Sequence, residues 1–176
     1  DSLKQLQNNP IISILSSSTV YNQYWGLYFN LDKNQGNEIF QSKRVRQAIS
    51  SAISRDRIID SLLGFATEAK GSIPENSFYW VDTKRYGYDK NKAIEILEKN
   101  NWKLSNENGV REKNGVPLEF ELLLVNNTDR LKIAEVVSQD LADIGIKVNV
   151  TAKSLTEVRE QNILPKQFDM LLYGVQ

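Results

Sequence analysis

The sequence predicts an α/β fold, with a mixed sheet flanked by helices and a small β-hairpin. The first observation is the order strand, helix, strand, helix, strand from Leu118 onward, in which apolar runs of period two alternate with segments of helical period. Such alternation favours parallel strands joined by right-handed crossovers. The second observation is a pair of Asn-Gly dipeptides, at 108–109 and 114–115. Asn-Gly supplies the positive φ angles of tight hairpin turns.

The first elements are expected to be a short helix over residues 2–7, a β-branched strand over 11–15 and a longer strand over 22–31. Alternation along the longer strand places two sets of side chains on opposite faces, with Trp25, Leu27 and Phe29 on one face and Tyr24, Tyr28 and Asn30 on the other. One aromatic face is predicted to belong to the core. The other can line a cleft or lie under a helix.

Residues 42–63 predict two successive helices. In the first, apolar residues recur at helical spacing, namely Val45, Ala48, Ile49, Ala52 and Ile53. Ser54 caps the second helix, Asp56 complements its positive end, and Gly64 stops it. The basic residues of the pair predict a solvated face rather than a nucleic-acid surface; they are Lys43, Arg44, Arg46, Arg55 and Arg57.

Residues 71–88 show no sustained hydrophobic period and predict an irregular segment. Asp89 is expected to cap a helix that runs through Lys99, and Trp102 to anchor the chain after it. The hairpin leads into a strand over 118–125. Asn127 or Thr128 then caps a longer helix, whose predicted buried stripe is Leu131, Ala134, Val137, Leu141 and Ile144 and which Gly145 ends.

The last elements are a strand over 146–150, a helix from Ser154 to Ile163 with Leu155 and Val158 inward, and a strand over 168–173. In parallel sheets of this kind, ligands bind at the carboxyl ends of the strands. Those ends are Asn126-Asn127, Lys153-Ser154 and Gly174-Val175-Gln176.

The composition excludes several chemistries. The chain has 176 residues and contains neither Cys nor His. Thiol nucleophiles, disulfides, imidazole bases and zinc or iron sites that need Cys or His ligands are therefore excluded. Lys plus Arg (22) balances Asp plus Glu (22), which removes the electrostatic footprint of a nucleic-acid binder. No cofactor or metal is expected.

The remaining candidate features favour structural roles. Asp140 and Asp143 lie at i, i+3 on one helical side and predict a solvated carboxylate face rather than an acid/base pair. Four aromatic residues could stack on a ligand, but such residues lie more often in the core; they are Trp25, Tyr28, Trp80 and Trp102. Residue chemistry alone thus describes an α/β domain without a catalytic centre.

The order of motifs resembles a known family. It runs YWGLYFNL, RVRQAISSAISRDRII, IPENS, YGYDKNKAIEILEKNNW, NGVREKNGVPLEFELLLVNN, IAEVVSQDLADIGIKVNV and QFDMLLYGV. Taken together, this series resembles the C-terminal lobe of the bacterial family 5 extracellular solute-binding proteins, the oligopeptide, dipeptide and nickel class. The resemblance implies a type II periplasmic-binding-protein-like lobe. It also implies that residues 1–176 form a single lobe, with the N-terminal lobe and the C-terminal return segment outside this chain.

The resemblance further implies a non-catalytic function. Such proteins close two lobes around a solute and deliver it to an ABC transporter permease, and peptide-binding members pair the ligand backbone like an added strand. An extracellular monomer is expected, tethered to the cell surface through an N-terminal lipid outside this chain, or periplasmic. The absence of His weakens a nickel function, since imidazole suits that ion.

The resemblance also implies a set of ligand-binding positions on three segments. They are Trp25, Tyr28 and Asn30 on the first aromatic strand, Asn126 and Asn127 after the central strand, and Tyr173, Gly174, Val175 and Gln176 at the last strand. Many relatives have Gly-Trp at the end of that strand, whereas this chain has Val175. That departure weakens an expectation of aromatic stacking there but leaves main-chain pairing possible.

Two other functions stay open. The same lobe can serve as the sensor domain of a transcription regulator, which a DNA-reading domain in the parent protein would reveal. A carboxylate-based hydrolase would require two acidic residues that converge in a cleft.

Overall fold

The computed structural model describes residues 24–63, 66–71, 73, 78–81, 86–105 and 109–175. The predicted helix over 2–7, the predicted strand over 11–15, and Gly64, Asn108 and Gln176 lie outside these ranges. The helices are α1 (Lys43–Ala52), α2 (Arg55–Ser61), α3 (Lys90–Lys99), α4 (Thr128–Ala142) and α5 (Leu155–Glu157), which continues as a π-helix over Val158–Ile163, and a 3-10 turn spans Glu38–Gln41. The strands are β1 (Tyr24–Phe29), β2 (Lys103–Leu104), β3 (Arg111–Lys113), β4 (Val116–Pro117), β5 (Glu119–Val125), β6 (Lys147–Lys153) and β7 (Met170–Val175).

The main sheet has the strand order β1-β7-β5-β6. Strand β5 pairs in parallel with both β6 and β7, which confirms the parallel arrangement predicted from the alternation of elements. Strand β1 runs antiparallel to β7, with Tyr24 opposite Val175 and Phe29 opposite Met170. The sheet is therefore mixed, as expected.

The two faces of the sheet carry separate hydrophobic cores. The larger core packs beneath the helices α1, α3 and α4, and Trp25, Leu27 and Phe29 lie against it. The smaller core contains Leu123, Val125, Val158 and Leu171, with Tyr28 and Tyr173 packed on it. The predicted division of the β1 side chains between two faces is confirmed.

Helix α1 follows its predicted pattern. The Ser42 side chain accepts a hydrogen bond from the Val45 backbone N–H, and Val45, Ala48, Ile49 and Ala52 are buried. Ser54 likewise caps α2 through the Arg57 N–H. The predicted stop at Gly64 lies outside the described residues, and Leu63 already has a left-handed conformation with φ 58°.

Helix α4 begins with an Asn127 cap, but its buried surface differs from the predicted stripe. Leu131, expected to be buried, is 41% exposed, whereas Ile133 and Val136 are buried. Leu131 lies in the first turn, next to residues 126–129, which are all exposed. The buried surface spreads around Ala134 and is wider than the predicted stripe because the helix contacts both the sheet and α2.

Helix α5 also departs from the prediction. Val158 is fully buried as expected, but Leu155 is 55% exposed. Ser154 and Glu157 form a capping box, and after this single turn the chain becomes a π-helix. Residues 154–157 are all exposed, so Leu155 lies in solvent with the rest of this turn, and of the two predicted inward residues only Val158 joins the smaller core.

The sequence predicted that Asp140 and Asp143 would both lie on a solvated face. This prediction is wrong for Asp140 and is confirmed for Asp143. Asp140 is 3% exposed and accepts hydrogen bonds from the Ser54 backbone N–H at 2.8 Å and from the Arg57 guanidinium. The cause is the packing of α2 against α4, which brings the start of α2 onto this carboxylate. Asp143 is exposed and pairs with Lys90 at 2.8 Å.

The basic residues of α1 and α2 are in part solvated, as predicted. Lys43, Arg44 and Arg57 are exposed. Arg46 and Arg55 are partly buried and have partners within the chain: Arg46 donates to the Gln41 carbonyl, and Arg55 forms an ion pair with Glu68.

The small β-hairpin forms at the predicted turn. Asn114 and Gly115 have φ angles of 54° and 76°, and β3 pairs with β4 on either side. Strand β2 adds to β3, which the sequence pattern did not indicate. The buried Arg111 ties this small sheet to its surroundings, since its side chain donates to the Ile144 carbonyl at 2.7 Å and to the Trp102 carbonyl at 2.8 Å.

Strand β6 forms one border of the described main sheet and is three residues longer at its carboxyl end than predicted. Several of its residues are exposed, among them Lys147 and Asn149. Both contact Glu119 on β5, through an ion pair at 2.8 Å and a hydrogen bond at 2.7 Å. These contacts lower the pKa of the Glu119 carboxyl, with the Lys147 hydrogen bond as the largest cause.

Replacing Gly145 with Ala is expected to lower the free energy of unfolding by about 2 kcal/mol. Gly145 has φ 80°, and a β-carbon there would lie 2.7 Å from a Leu104 methyl and 2.9 Å from Arg111 Cγ. Gly115→Ala is the matched control, because Gly115 has φ 76° but open space around it, and it should cost only about 1 kcal/mol. Urea denaturation measures both, and equal losses would show that the close approach at Gly145 is unimportant.

Candidate functional site

The carboxyl ends of the parallel strands meet at one edge of the main sheet. Strand β1 begins at this edge, because Trp25 lies opposite Gly174 near the end of β7. On the other side, the Asn126 N–H donates to the Lys153 carbonyl at 2.8 Å, which continues the β5–β6 pairing. We call this border the carboxyl edge; its described residues are Tyr24, Trp25, Asn126, Asn127, Lys153, Ser154, Gly174 and Val175.

Five of the predicted ligand-binding residues lie together at the carboxyl edge: Trp25, Asn126, Asn127, Gly174 and Val175. Trp25 and Gly174 project toward the α4 face of the sheet, since directly opposed residues share a face and Trp25 packs on the larger core. Gly174 presents only backbone there. Asn127 uses its side-chain oxygen to cap α4, at 3.0 Å from the Asp129 N–H.

Tyr28 and Tyr173 lie on the opposite face of the sheet. A β-carbon on Gly26 would lie 3.3 Å from the Tyr28 ring, so the ring covers this glycine, and Tyr173 is the strand neighbour of Gly26. The buried Tyr28 hydroxyl has no hydrogen-bond partner among the described residues. Burial, and after it the neighbouring Tyr24 phenol, raise the pKa of Tyr28 to about 12.

Asn30 lies far along β1, beyond the residue paired with Met170, at the amino end of β7. It is 5% exposed, and its side-chain amide donates to the Lys166 carbonyl at 2.7 Å and the Phe168 carbonyl at 2.8 Å. Its oxygen accepts from the Asp32 N–H at 3.1 Å. Both amide hydrogens are thus used within the chain, so this geometry gives no support to a ligand contact and gives Asn30 a bracing role.

Arg130 lies next to the carboxyl edge, and the sequence patterns did not single it out. It lies in the first turn of α4, and its guanidinium carbon is 5.3 Å from the centre of the Trp25 ring, a cation–π contact. A basic residue in a first turn opposes the helix dipole. The same placement occurs at Lys43 in α1 and Lys90 in α3, so no sequence signal distinguished Arg130.

A second cation lies at the same edge on the other face. Lys153 ends β6, and its ammonium donates to the buried Asn162 side chain at 3.2 Å. The nearby Glu157 carboxylate is held by Ser154, whose hydroxyl and backbone N–H lower its pKa. The carboxyl edge therefore has a cation on each face of the sheet.

Other kinds of site are not found in the described ranges. No group of three or more Asp, Glu, His or Cys side chains there could hold a metal ion. None of the described helices combines the length and hydropathy that a membrane span requires. Two shallow surface depressions lie away from the carboxyl edge, one beside Lys33 and Gly36 and the other beside Ser138 and Gly145.

Comparison with known proteins identifies the class of protein. The family model described as "Bacterial extracellular solute-binding proteins, family 5 Middle" matches residues 1–176. The chain therefore belongs to the family 5 bacterial extracellular solute-binding proteins, and the family inferred from the motif order is confirmed.

Individual relatives bind different solutes. The oligopeptide-binding protein AppA of Bacillus subtilis (strain 168) is 30% identical over 97% of this chain and 31% of its own length. The nickel-binding periplasmic protein of Escherichia coli (strain K12) is 32% identical over 81% of this chain and 26% of its own length. The chain thus spans about a third or less of the length of these relatives.

Solved structures share the fold. The chain superposes on AppA from Bacillus subtilis in complex with a nonapeptide with a TM-score of 0.74, at 28% identity over 88% of this chain and 33% of that one. It superposes on NikZ from Campylobacter jejuni in complex with Ni(L-His) with a TM-score of 0.75, at 30% identity over 98% of this chain and 33% of that one. The expected type II periplasmic-binding-protein-like fold is confirmed.

Proposed function

We propose that this chain is one lobe of a two-lobe receptor that binds oligopeptides and delivers them to an ABC transporter permease. The carboxyl edge forms one wall of the cleft between the lobes. The observation that carries this proposal is the placement of Trp25 on β1, Gly174 opposite it on β7, and Asn126 directly after β5, all at the same edge of the sheet. It combines an aromatic side chain, a backbone segment without a side chain, and an exposed amide.

This combination suits a peptide. An extended peptide offers its backbone N–H and C=O groups to unpaired main chain, as in strand addition. Gly174 and Val175 pair with β1 on one side, but the pairing of β7 with β5 ends at Leu172, so their other side is the main chain that such a peptide would meet. The names of relatives that bind oligopeptides support the same ligand class. The receptor acts by binding and closing around its ligand rather than by catalysis. The relatives reported above give no support to a DNA-binding regulator or a hydrolase.

The cellular setting follows from the family. Its members are bacterial extracellular solute-binding proteins. We place this protein outside the cytoplasmic membrane as a monomer, either periplasmic or held at the cell surface by a lipid on a segment outside this chain.

Calorimetric titration of the whole protein with short peptides tests the proposal. Peptides are expected to bind, and Trp25→Ala should weaken binding by about tenfold, since buried aromatic side chains dominate such interfaces. Tyr88→Ala is the control, because Tyr88 is an exposed aromatic residue that precedes α3. Binding of a sugar or a metal chelate with no heat from any peptide would overturn the peptide assignment.

A further inference from the structure

We propose that the open side of β6 is a second binding site, where an extended acidic segment of a partner protein adds to the main sheet as a further strand. We call this side, along residues 147–153, the β6 border. It runs along the length of the strand and meets the carboxyl edge only at Lys153. The inference therefore does not rest on the proposed function.

The first support is the free backbone of the β6 border. The Lys147 N–H donates to the Leu118 carbonyl at 3.1 Å, and the Lys153 carbonyl accepts from the Asn126 N–H at 2.8 Å, so the odd-numbered residues of β6 bond to β5. The backbone groups of the residues between them point away from β5. These residues are Val148, Val150 and Ala152. Because β6 pairs only with β5 in the described part of the chain, their N–H and C=O groups have no strand partner there.

The second support is that the β6 border lacks features that usually block strand addition. Its pairing with β5 continues without a bulge over all seven residues of the strand, and the strand contains no Pro. The residues with free backbone carry apolar side chains on the α4 face of the sheet, since they lie opposite buried residues of the larger core. Val150 is 42% exposed, and Ala152 is exposed as well. Free backbone beside exposed apolar side chains is what an added strand requires.

The third support is the depression beside the start of β6. Residues of α4 and β6 line it, among them Ser138, Ala142 and Val148. The Ser138 hydroxyl is shielded from solvent and has no hydrogen-bond partner among the described residues. A shielded hydroxyl without a partner is costly, and a polar group of an added segment removes that cost. The depression thus offers a place for one side chain of the partner.

The charges at the two ends of the β6 border select an acidic partner. Lys147 begins the strand and Lys153 ends it. The Lys147 side chain pairs with Glu119 but is 52% exposed, and the Lys153 ammonium bonds to the neutral Asn162 side chain. Acidic residues at both ends of an added strand would lie beside these lysines, whereas a second copy in antiparallel pairing would place lysine against lysine. The border therefore favours a segment of a different protein.

Fluorescence anisotropy of the whole protein with two labelled peptides tests the inference. Both peptides have blocked termini and alternating Val and Thr in the centre, and they differ in carrying Glu or Lys at both ends. An unlabelled peptide that saturates the cleft is added in excess, so that only binding outside the cleft is measured. The peptide with Glu is expected to bind at least about tenfold more tightly than the peptide with Lys.

Val150→Pro removes one outward N–H and leaves the bonds from β6 to β5 in place, because proline is tolerated on edge strands where the N–H faces solvent. It should weaken binding of the peptide with Glu by at least about tenfold. Val150→Thr is the matched control, since it keeps the N–H and the β-branched shape, and its affinity should stay within about twofold of the parent. Unchanged peptide binding in the cleft shows that each variant is folded.

Hydrogen exchange of the parent protein gives a measurement that needs no variant. The peptide with Glu should slow exchange in the segment 146–153 by at least about tenfold, because strand addition occupies its free N–H groups. Unchanged exchange there, or equal affinity of the parent and Val150→Pro, would overturn strand addition.

Equal affinity for the two peptides would overturn the acidic partner, and so would failure of the parent to bind the peptide with Glu. Neither result would affect the proposed function, which depends on binding in the cleft. Conversely, a parent protein that binds the peptide with Glu at the β6 border but no peptide in the cleft would overturn the proposed function and support this inference.

Discussion

Replacing Asp140 with Ala is expected to lower the free energy of unfolding by about 3 kcal/mol, a large part of the stability of an ordinary domain. The carboxylate is buried between α2 and α4, where it accepts the Ser54 N–H at 2.8 Å and pairs with Arg57. Its removal leaves the Ser54 N–H without a partner and detaches the start of α2 from α4. Arg57 has 45% of its side chain exposed, so water can solvate it and limit the loss.

Asp143→Ala is the matched control for this change. Asp143 lies one turn further along the chain and pairs with Lys90, but 56% of its side chain is exposed. Exposed ion pairs contribute little, so the expected loss is less than about 0.5 kcal/mol. Urea denaturation of the parent protein and both variants gives the comparison. Losses of similar size would contradict the assignment of Asp140 as a buried junction between the two helices.

Replacing Asn30 with Asp is expected to cost about 3 kcal/mol at neutral pH. The amide donates to two backbone carbonyls, and a carboxylate of the same shape would instead place negative oxygens against them. The burial of this position, at 5% exposure, prevents water from screening the repulsion. The β1 end and the loop before β7 would then lose their connection.

Burial and the two carbonyls should raise the pKa of the introduced carboxyl above that of an ordinary aspartate. The loss should therefore shrink as the pH falls from neutral, and its charge-related part should be gone at about pH 4, because protonation removes the charge and restores one donor. Asn34→Asp is the control, since Asn34 is exposed in the loop that follows β1, and its stability should change by less than about 0.5 kcal/mol. Denaturation of each variant at neutral and acidic pH provides the measurement. A neutral-pH loss as small as that of Asn34→Asp would show that Asn30 does not brace the loop.

The fold was largely predictable because its main signals are local. The caps at Ser54, Asp89 and Asn127, and the Asn114-Gly115 turn, act over a few residues and form as expected. Strand and helix alternation also predicted the parallel pairing, since few topologies satisfy it.

The failures involve contacts between distant segments. Asp140 was expected on a solvated face. Its carboxylate instead accepts a hydrogen bond from the start of α2, more than eighty residues earlier in the chain, and no sequence pattern predicts so distant a contact. The hydrogen bonds of Asn30 were likewise not foreseen, since its partners Lys166 and Phe168 lie far along the chain. The alternation of side chains along β1 predicted the correct face of the sheet for Tyr28. It could not show that the Tyr28 ring packs on a second hydrophobic core.

The candidate site was predictable only in part. The strand ends at Asn126, Gly174 and Val175 follow from topology, and the structure places them with Trp25 at one edge. The contact of Arg130 with Trp25 was missed because it depends on a ring brought across from β1.

The polar border strand β6 has a consequence for behaviour at high concentration. Exposed backbone at the edge of a sheet invites other chains to add strands and begin aggregation. Here Lys147 at one end and Lys153 at the other would bring like charges together if two copies paired edge to edge. This border should therefore resist fibril-like growth at high protein concentration.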